Sequence, residues 1–91
     1  MYRKCFLCER SETSSNRLEC HHIFGGANRK LSDRYGLTVM LCHECHNEPP
    51  DGAHHNADVM LYLHRYGQAK AMSEQGWDED EFREIFGKNY L

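Results

Sequence analysis

Two short stretches in the first half of the chain alternate hydrophobic and polar residues with the period of a β-strand. In residues 17–23, Leu18, Cys20 and His22 alternate with charged or polar neighbours, and a pair of glycines follows. Residues 37–41 form a second short run that is mostly hydrophobic. These patterns predict two strands that pair as a hairpin. They also predict that Cys20, on the same face as Leu18, is a small buried residue, with a stray metal ligand as the alternative.

The second half of the chain has the hydrophobic spacing of two helices, after a break predicted at residues 49–52. Asn56 is a suitable N-cap for the first of them. The apolar face of this helix, at i, i+3, i+4 and i+7, consists of Val59, Tyr62, Leu63 and Tyr66. The final helix is expected to begin at Asp78 with a capping Glu81. Its apolar stripe, which stops at a glycine, consists of Phe82, Ile85 and Phe86.

Composition and charge narrow the classes of function. The chain has 91 residues, of which 40% are hydrophobic and 27% are charged, as in a globular protein and unlike a disordered one. The longest apolar run, residues 59–63, is far shorter than the roughly 20 residues that span a bilayer. No apolar signal segment follows the first residues, so we expect a cytoplasmic protein that does not associate with a membrane. The net charge of -3 provides no bulk attraction to nucleic acid, so a phosphate contact must be local or assisted by a metal ion.

Four of the five cysteines form two C-x-x-C pairs: Cys5, Cys8, Cys42 and Cys45. Thiolates three positions apart in a tight turn can bind one tetrahedral zinc ion at about 2.3 Å. A reducing compartment disfavours disulfides, which leaves redox dithiols and unrelated buried thiols as the alternatives to zinc. The insertion between the two pairs is long enough to need structure of its own, and it contains the predicted hairpin. We expect a structural zinc ion to compensate for the small core of so short a chain.

The seven histidines are concentrated near the hairpin and the second cysteine pair. His21 and His22 lie at the end of the first predicted strand, and His46 directly follows Cys45. Three imidazoles should therefore surround the same zinc-bound hairpin, which makes them a candidate site. Because adjacent residues of a regular strand point to opposite faces, we expect the strand to end at His22.

The other histidines and the basic residues between the strands are weaker candidates. His54 and His55 could provide an additional metal ligand or a phosphate contact, and the alternative is two exposed loop histidines. We expect His43 and His64 to lie at the surface. The loop between the strands contains three cations that could contact phosphate or be solvated: Arg29, Lys30 and Arg34.

The cysteine and histidine motifs together resemble the HNH endonucleases, or ββα-metal nucleases, in their zinc-stapled form. The resemblance rests on three segments of the chain: Cys5-x-x-Cys8, residues 19–26 (Glu-Cys-His-His-Ile-Phe-Gly-Gly) and residues 41–47 (Leu-Cys-His-Glu-Cys-His-Asn). The chain also resembles small phage-encoded members of that family. The resemblance implies an α+β fold and a single domain over residues 1–91. It places a zinc-stapled ββα core at about 5–47 and a helical extension at about 56–91.

The resemblance implies hydrolysis of DNA phosphodiester bonds by a metal-dependent endonuclease. His22 matches the family's general base, and His21 and His46 match the positions that bind the catalytic divalent ion. A histidine in place of the usual aspartate at position 21 widens the choice of ion to Mg, Mn, Ni or Zn. Where the family usually has a middle asparagine, this chain has Leu37. The partners implied are DNA and, for a phage-type member, phage packaging or replication proteins.

A second class of function is compatible with the same residues. A non-catalytic zinc-binding module that binds nucleic acid or protein would keep the cysteine pairs and need no general base. The replacement at Leu37 favours this alternative. Substitution of His22 distinguishes the two classes, because only an enzyme would lose an activity.

Overall fold

The computed structural model describes residues 3–49 and 52–91, and Pro50 and Asp51 of the predicted break lie outside these ranges. The fold is α+β, which confirms the predicted class. Two strands, β1 (Leu18–His22) and β2 (Thr38–Cys42), pair as a two-stranded sheet. The helices are α1 (Arg29–Arg34), α2 (His43–Asn47), α3 (Ala57–Gln75) and α4 (Glu79–Phe86), with 3₁₀ turns at Gly26–Asn28 and Ala53–His55. No helix within the described ranges has the length and apolar character needed to cross a membrane.

The chain packs as two compact units, each built from two segments. The sheet unit contains the described residues of Met1–His21 and Thr38–Met60, and the aromatic unit contains His22–Leu37 and Leu61–Leu91. The two cysteine pairs belong to the sheet unit, together with most of the sheet.

Hydrophobic residues of both strands form the core of the sheet unit. Leu18 of β1 and Val39 of β2 are each 8% exposed, and Leu41 is fully buried. The N-terminal loop is attached to β2 because the backbone N–H of Phe6 donates a hydrogen bond to the carbonyl of Met40 at 2.8 Å. The first cysteine pair is thereby fixed beside the strand that leads to the second pair.

The prediction that Cys20 is buried is wrong, because its side chain is exposed. The face of β1 that carries Glu19 and His21 packs against polar partners, and His21 is only 2% exposed. Cys20 points away from that face, since successive side chains alternate across a strand. Hydrophobic alternation identified the strand correctly, but it could not show that histidines cover one face of it.

Phe24 lies at the centre of the aromatic unit. Its ring centroid is 4.8 Å from that of Phe86, 5.6 Å from that of Phe82 and 5.6 Å from that of Tyr90. His64, expected at the surface, is half-buried. Its ring stacks on Phe24 with centroids 5.2 Å apart and an interplanar angle of 9°. Burial lowers the pKa of His64.

The basic segment between the strands is helical, and the prediction of a loop is wrong there. Arg29, Lys30 and Arg34 lie on α1 and are exposed. The helix is anchored by the buried Ser32, whose hydroxyl accepts from the backbone N–H of Phe24 at 3.0 Å and donates to its carbonyl at 2.8 Å. A helix this short is stabilised mainly by such tertiary contacts.

The buried face of α3 differs from the predicted one. Tyr62 is 51% exposed, whereas the helix buries Leu63, Gly67, Gln68 and Ala71. Gly67 allows a close approach: a Cβ there would lie 2.6 Å from Cγ2 of Ile23 and 2.9 Å from Cε2 of Phe24. Periodicity missed this face because two of its members, a glycine and a glutamine, carry no hydrophobic signal.

The final helix and the residues after it follow the prediction closely. The Asp78 carboxylate accepts from the backbone N–H of Glu81 at 2.8 Å, and Glu81 completes the capping box. Gly87 ends the helix with a φ of 88°, a left-handed conformation that favours glycine. The buried Gln68 then holds the terminal segment, because its side chain bonds Asn89 and the backbone N–H of Tyr90, each at 2.7 Å.

Candidate functional site

The four predicted zinc ligands come together in the sheet unit. The sulfur atoms of Cys5, Cys8, Cys42 and Cys45 all lie within 4.8 Å of one another. Two sulfurs on one tetrahedral zinc ion at about 2.3 Å are separated by about 3.8 Å, and the Sγ atoms of Cys8 and Cys42 are 3.7 Å apart. The donor set and spacing therefore suit a structural zinc ion.

Local structure explains why these thiols converge. Glu9 adopts a left-handed φ of 62°, which turns the chain directly after the first pair, and its N–H donates to the carbonyl of Cys5 at 2.9 Å. The N–H of Cys8 points to the sulfur of Cys5 at 3.5 Å. On the other side, Cys42 ends β2 and Cys45 lies in the short helix α2 that follows. Backbone N–H groups thus face the sulfur atoms, which favours thiolates.

The pKa values of the thiols favour a bound cation at the cluster. Burial raises the pKa of Cys5, but N–H groups of neighbouring backbone outweigh it and lower that pKa to about 6. Burial and the adjoining thiols raise the pKa of Cys42 and of Cys45. One thiolate forms readily and the next ones are opposed, and a bound metal ion would offset the repulsion among them.

A second cluster contains three histidines of the sheet unit. The candidate nitrogen atoms of His21, His46 and His54 all lie within 4.8 Å of one another, with ring centroids 4.8 to 5.2 Å apart. The Nε2 atoms of His46 and His54 are 3.1 Å apart. Two nitrogens that bind one ion at about 2.1 Å are separated by about 3.0 to 3.4 Å. The spacing therefore suits a shared cation, as well as a hydrogen bond between the rings.

Three different elements position these histidines. His21 lies in β1 and His46 lies in α2, where it directly follows a zinc ligand. His54 lies in the 3₁₀ turn Ala53–His55. Gly52 brings this turn close to the end of α2: its N–H donates to the carbonyl of Glu48 at 2.6 Å, and a Cβ at Gly52 would lie 2.6 Å from the Glu48 nitrogen. Only glycine fits this contact without a shift of the backbone.

Glu19 is a site residue that the sequence patterns did not identify. Its carboxylate accepts a hydrogen bond from Nδ1 of His46 at 2.9 Å. This bond places the proton of the neutral ring on Nδ1 and leaves the Nε2 lone pair to face His54. The hydrogen bond from His46 and a further one from His43 lower the pKa of Glu19. The two-residue offset of Glu19 from His21 along β1, which puts both on one face, is the signal that could have identified it.

His22, the predicted general base, is the last residue of β1, and the chain bends at Ile23. The strand ends where expected, but His22 is itself a residue of the strand. In the aromatic unit its Nε2 lies 2.7 Å from Oδ1 of Asp33, a residue of α1. The His22 side chain is 17% exposed and the Asp33 side chain is 63% exposed. No pattern in the sequence indicated this pair, because the two residues are eleven positions apart in different elements.

The remaining candidates divide into partnered and solvent-facing residues. His43 is exposed, as expected, and contacts the carboxylates of Glu19 and Glu48. Those hydrogen bonds raise the pKa of His43. His55 is exposed and lies outside the three-histidine cluster. Leu37 is fully buried and belongs to the core.

Comparison of the chain with protein-family models, with curated proteins and with solved structures found no match.

Proposed function

We propose that the protein is a metal-dependent DNA endonuclease of the HNH type that hydrolyses phosphodiester bonds. The observation that carries the proposal is the convergence of His21, His46 and His54, whose ligand atoms lie within 4.8 Å of one another. Each of these rings carries a nitrogen atom that can bind a metal ion. The cysteine cluster, in contrast, has the closed all-thiolate composition of a structural site.

The three histidines would hold the catalytic divalent cation. Imidazole donors suit Zn, Ni and other transition metals better than Mg, so Ni, Zn and Mn are the expected ions. Such an ion acts as a Lewis acid toward a phosphate oxygen and the leaving oxygen. Glu19 orients His46 and fixes its tautomer, as carboxylate partners of metal-binding histidines commonly do.

His22 would accept the proton of the attacking water. A neutral imidazole has a lone pair on one ring nitrogen, so it can accept a proton from water. General base catalysis typically contributes about 10²–10⁴-fold to a rate.

Helix α1 would supply the contacts to the DNA backbone. Its cations Arg29, Lys30 and Arg34 are exposed and available to phosphate oxygens, which receive most protein–DNA hydrogen bonds. The same helix carries Asp33, which bonds His22. One element of the aromatic unit therefore holds both the cations and the partner of the proposed base.

The decisive experiment compares plasmid cleavage by the wild type and by His22→Ala, with Mg²⁺, Mn²⁺, Ni²⁺ or Zn²⁺ added. We expect the substitution to reduce cleavage by about 10²-fold or more while zinc content and circular dichroism stay unchanged. Tyr62→Ala, which removes an exposed ring on α3, is the control and should cleave like the wild type.

Two outcomes would contradict the proposal. If the metal-loaded wild type binds DNA without cleaving it, the protein is a non-catalytic zinc module. If His22→Ala cleaves as fast as the wild type, His22 is not the base.

A further inference from the structure

We infer that Asp33 is a positioning residue that holds His22 in the tautomer needed for a base. The inference rests on the proposed function, and it concerns one contact within the aromatic unit. Nε2 of His22 lies 2.7 Å from Oδ1 of Asp33. No motif in the sequence assigns a role to this aspartate.

The chemistry of the two groups decides where the proton lies. An ionised carboxylate has no hydrogen to donate, so the ring nitrogen that faces it must carry one. Nε2–H of His22 therefore donates to Asp33, and in the neutral ring the lone pair remains on Nδ1. Without the aspartate, both tautomers of the ring would be populated, and only one of them could accept a proton at Nδ1.

The backbone around both residues is fixed, so the contact is more than a pairing of two mobile surface side chains. Ser32, next to Asp33, is fully buried and bonds both the N–H and the carbonyl of Phe24. Ile23, next to His22, is 1% exposed, and its N–H donates to the carbonyl of Leu37 at 3.0 Å. These contacts hold the bend after β1 against α1 and keep His22 within reach of Asp33.

Exposure sets the expected size of the effect. The Asp33 side chain is 63% exposed, so water can partly replace the hydrogen bond. We expect Asp33→Ala to lower kcat about 10-fold, which is the size of effect that one hydrogen bond to a charged group can produce. KM for DNA should stay the same, because Asp33 acts on the ring and not on the substrate.

The test measures the His22 tautomer directly in the zinc-loaded full chain with ¹⁵N-labelled histidine. Long-range proton–nitrogen correlation spectra distinguish Nε2–H from Nδ1–H rings, and His22→Gln assigns the signal. We expect Nε2–H in the wild type and a mixture of tautomers in Asp33→Ala. Asp33→Glu retains a carboxylate, which can only accept, so it should restore most of the Nε2–H form and much of the kcat. The amide of Asp33→Asn can accept or donate, so this variant should show a mixture of tautomers. Glu84→Gln, which neutralises an exposed acid of α4, should change nothing.

The outcomes separate this inference from the proposed function. An unchanged tautomer in Asp33→Ala overturns the role of Asp33, even if His22 proves essential for cleavage. If the tautomer shifts in Asp33→Ala but the wild type cleaves no DNA, the proposed nuclease activity is wrong. The role of Asp33 in fixing the tautomer of His22 is then still established. A fall in kcat that Asp33→Glu does not relieve, with the Nε2–H form intact, also contradicts a positioning role.

Discussion

At the scale of single residues, the candidate site depends on where protons lie on imidazole rings. His46 and His22 each have a carboxylate partner, Glu19 at 2.9 Å and Asp33 at 2.7 Å. The two contacts use different nitrogens: Glu19 accepts from Nδ1, and Asp33 accepts from Nε2. The neutral ring of His46 therefore keeps its lone pair on Nε2, and the neutral ring of His22 keeps its lone pair on Nδ1. In the proposed nuclease, the first lone pair would bind the cation and the second would accept the proton of water.

The role of Glu19 can be tested through metal affinity. We expect Glu19→Ala to weaken Ni²⁺ binding at the histidine cluster about 10- to 100-fold, because His46 loses the partner that orients its ring. Glu19→Gln keeps an acceptor oxygen and should lose less. Titration calorimetry of the zinc-loaded protein measures the affinity.

Glu48→Gln is the matched control for Glu19. Its carboxylate contacts His43 at 2.9 Å, outside the histidine cluster, so Ni²⁺ affinity should remain that of the wild type. Equal affinities in Glu19→Ala and the wild type would show that His46 needs no partner.

At the scale of elements, the sequence predicted the features that depend on neighbouring residues. It did not predict which face of an element is buried by distant parts of the chain. The capping box of α4 and the cysteine turns were predictable because each is completed within a few residues of the chain. The exposure of Cys20 and of Tyr62 was not predictable, because periodicity shows that a face exists but not what packs on it. The contact between His22 and Asp33 joins two elements, and no local pattern encodes it.

The close approach of α3 to the bend after β1 gives a prediction at this scale. We expect Gly67→Ala to destabilise the protein by about 1–3 kcal/mol, because the new Cβ would lie 2.6 Å from Ile23 and 2.9 Å from Phe24 in a packed core. The higher helix propensity of alanine offsets about 1 kcal/mol at most. Urea unfolding at constant temperature measures the free energy.

Gly25→Ala is the control for this substitution. Gly25 has an extended φ of -96° and open space around an added Cβ, so its substitution should change stability by less than about 0.5 kcal/mol. If Gly67→Ala unfolded at the same urea concentration as Gly25→Ala, the core around Phe24 would be looser than the structure shows.

At the scale of the whole molecule, the two cores are small, so we expect zinc binding at the cysteine cluster to contribute much of the free energy of folding. A chain of this length removes only about two thirds of its surface from water on folding. Structural zinc ions contribute about 10–16 kcal/mol of apparent binding free energy in small domains. We therefore expect the sheet unit to fold only with its zinc ion.

The zinc requirement is tested by Cys42→Ser, which alters a fully buried ligand. We expect loss of zinc by elemental analysis and loss of the cooperative thermal transition of the sheet unit by circular dichroism. Cys20→Ser changes an exposed cysteine outside the cluster, and it should keep both the zinc and the melting temperature. A zinc-free Cys42→Ser protein that melts like the wild type would refute the structural role.

The short helix α2 carries residues of both clusters, because Cys45 and His46 are neighbours in it. A helix of five residues is not stable alone, so zinc bound to the cysteines would fix α2 and with it His46. In the proposed nuclease, the thiolates would therefore bind metal before the imidazoles do. Such an enzyme would stay inactive in cells short of zinc, even where the second ion is plentiful.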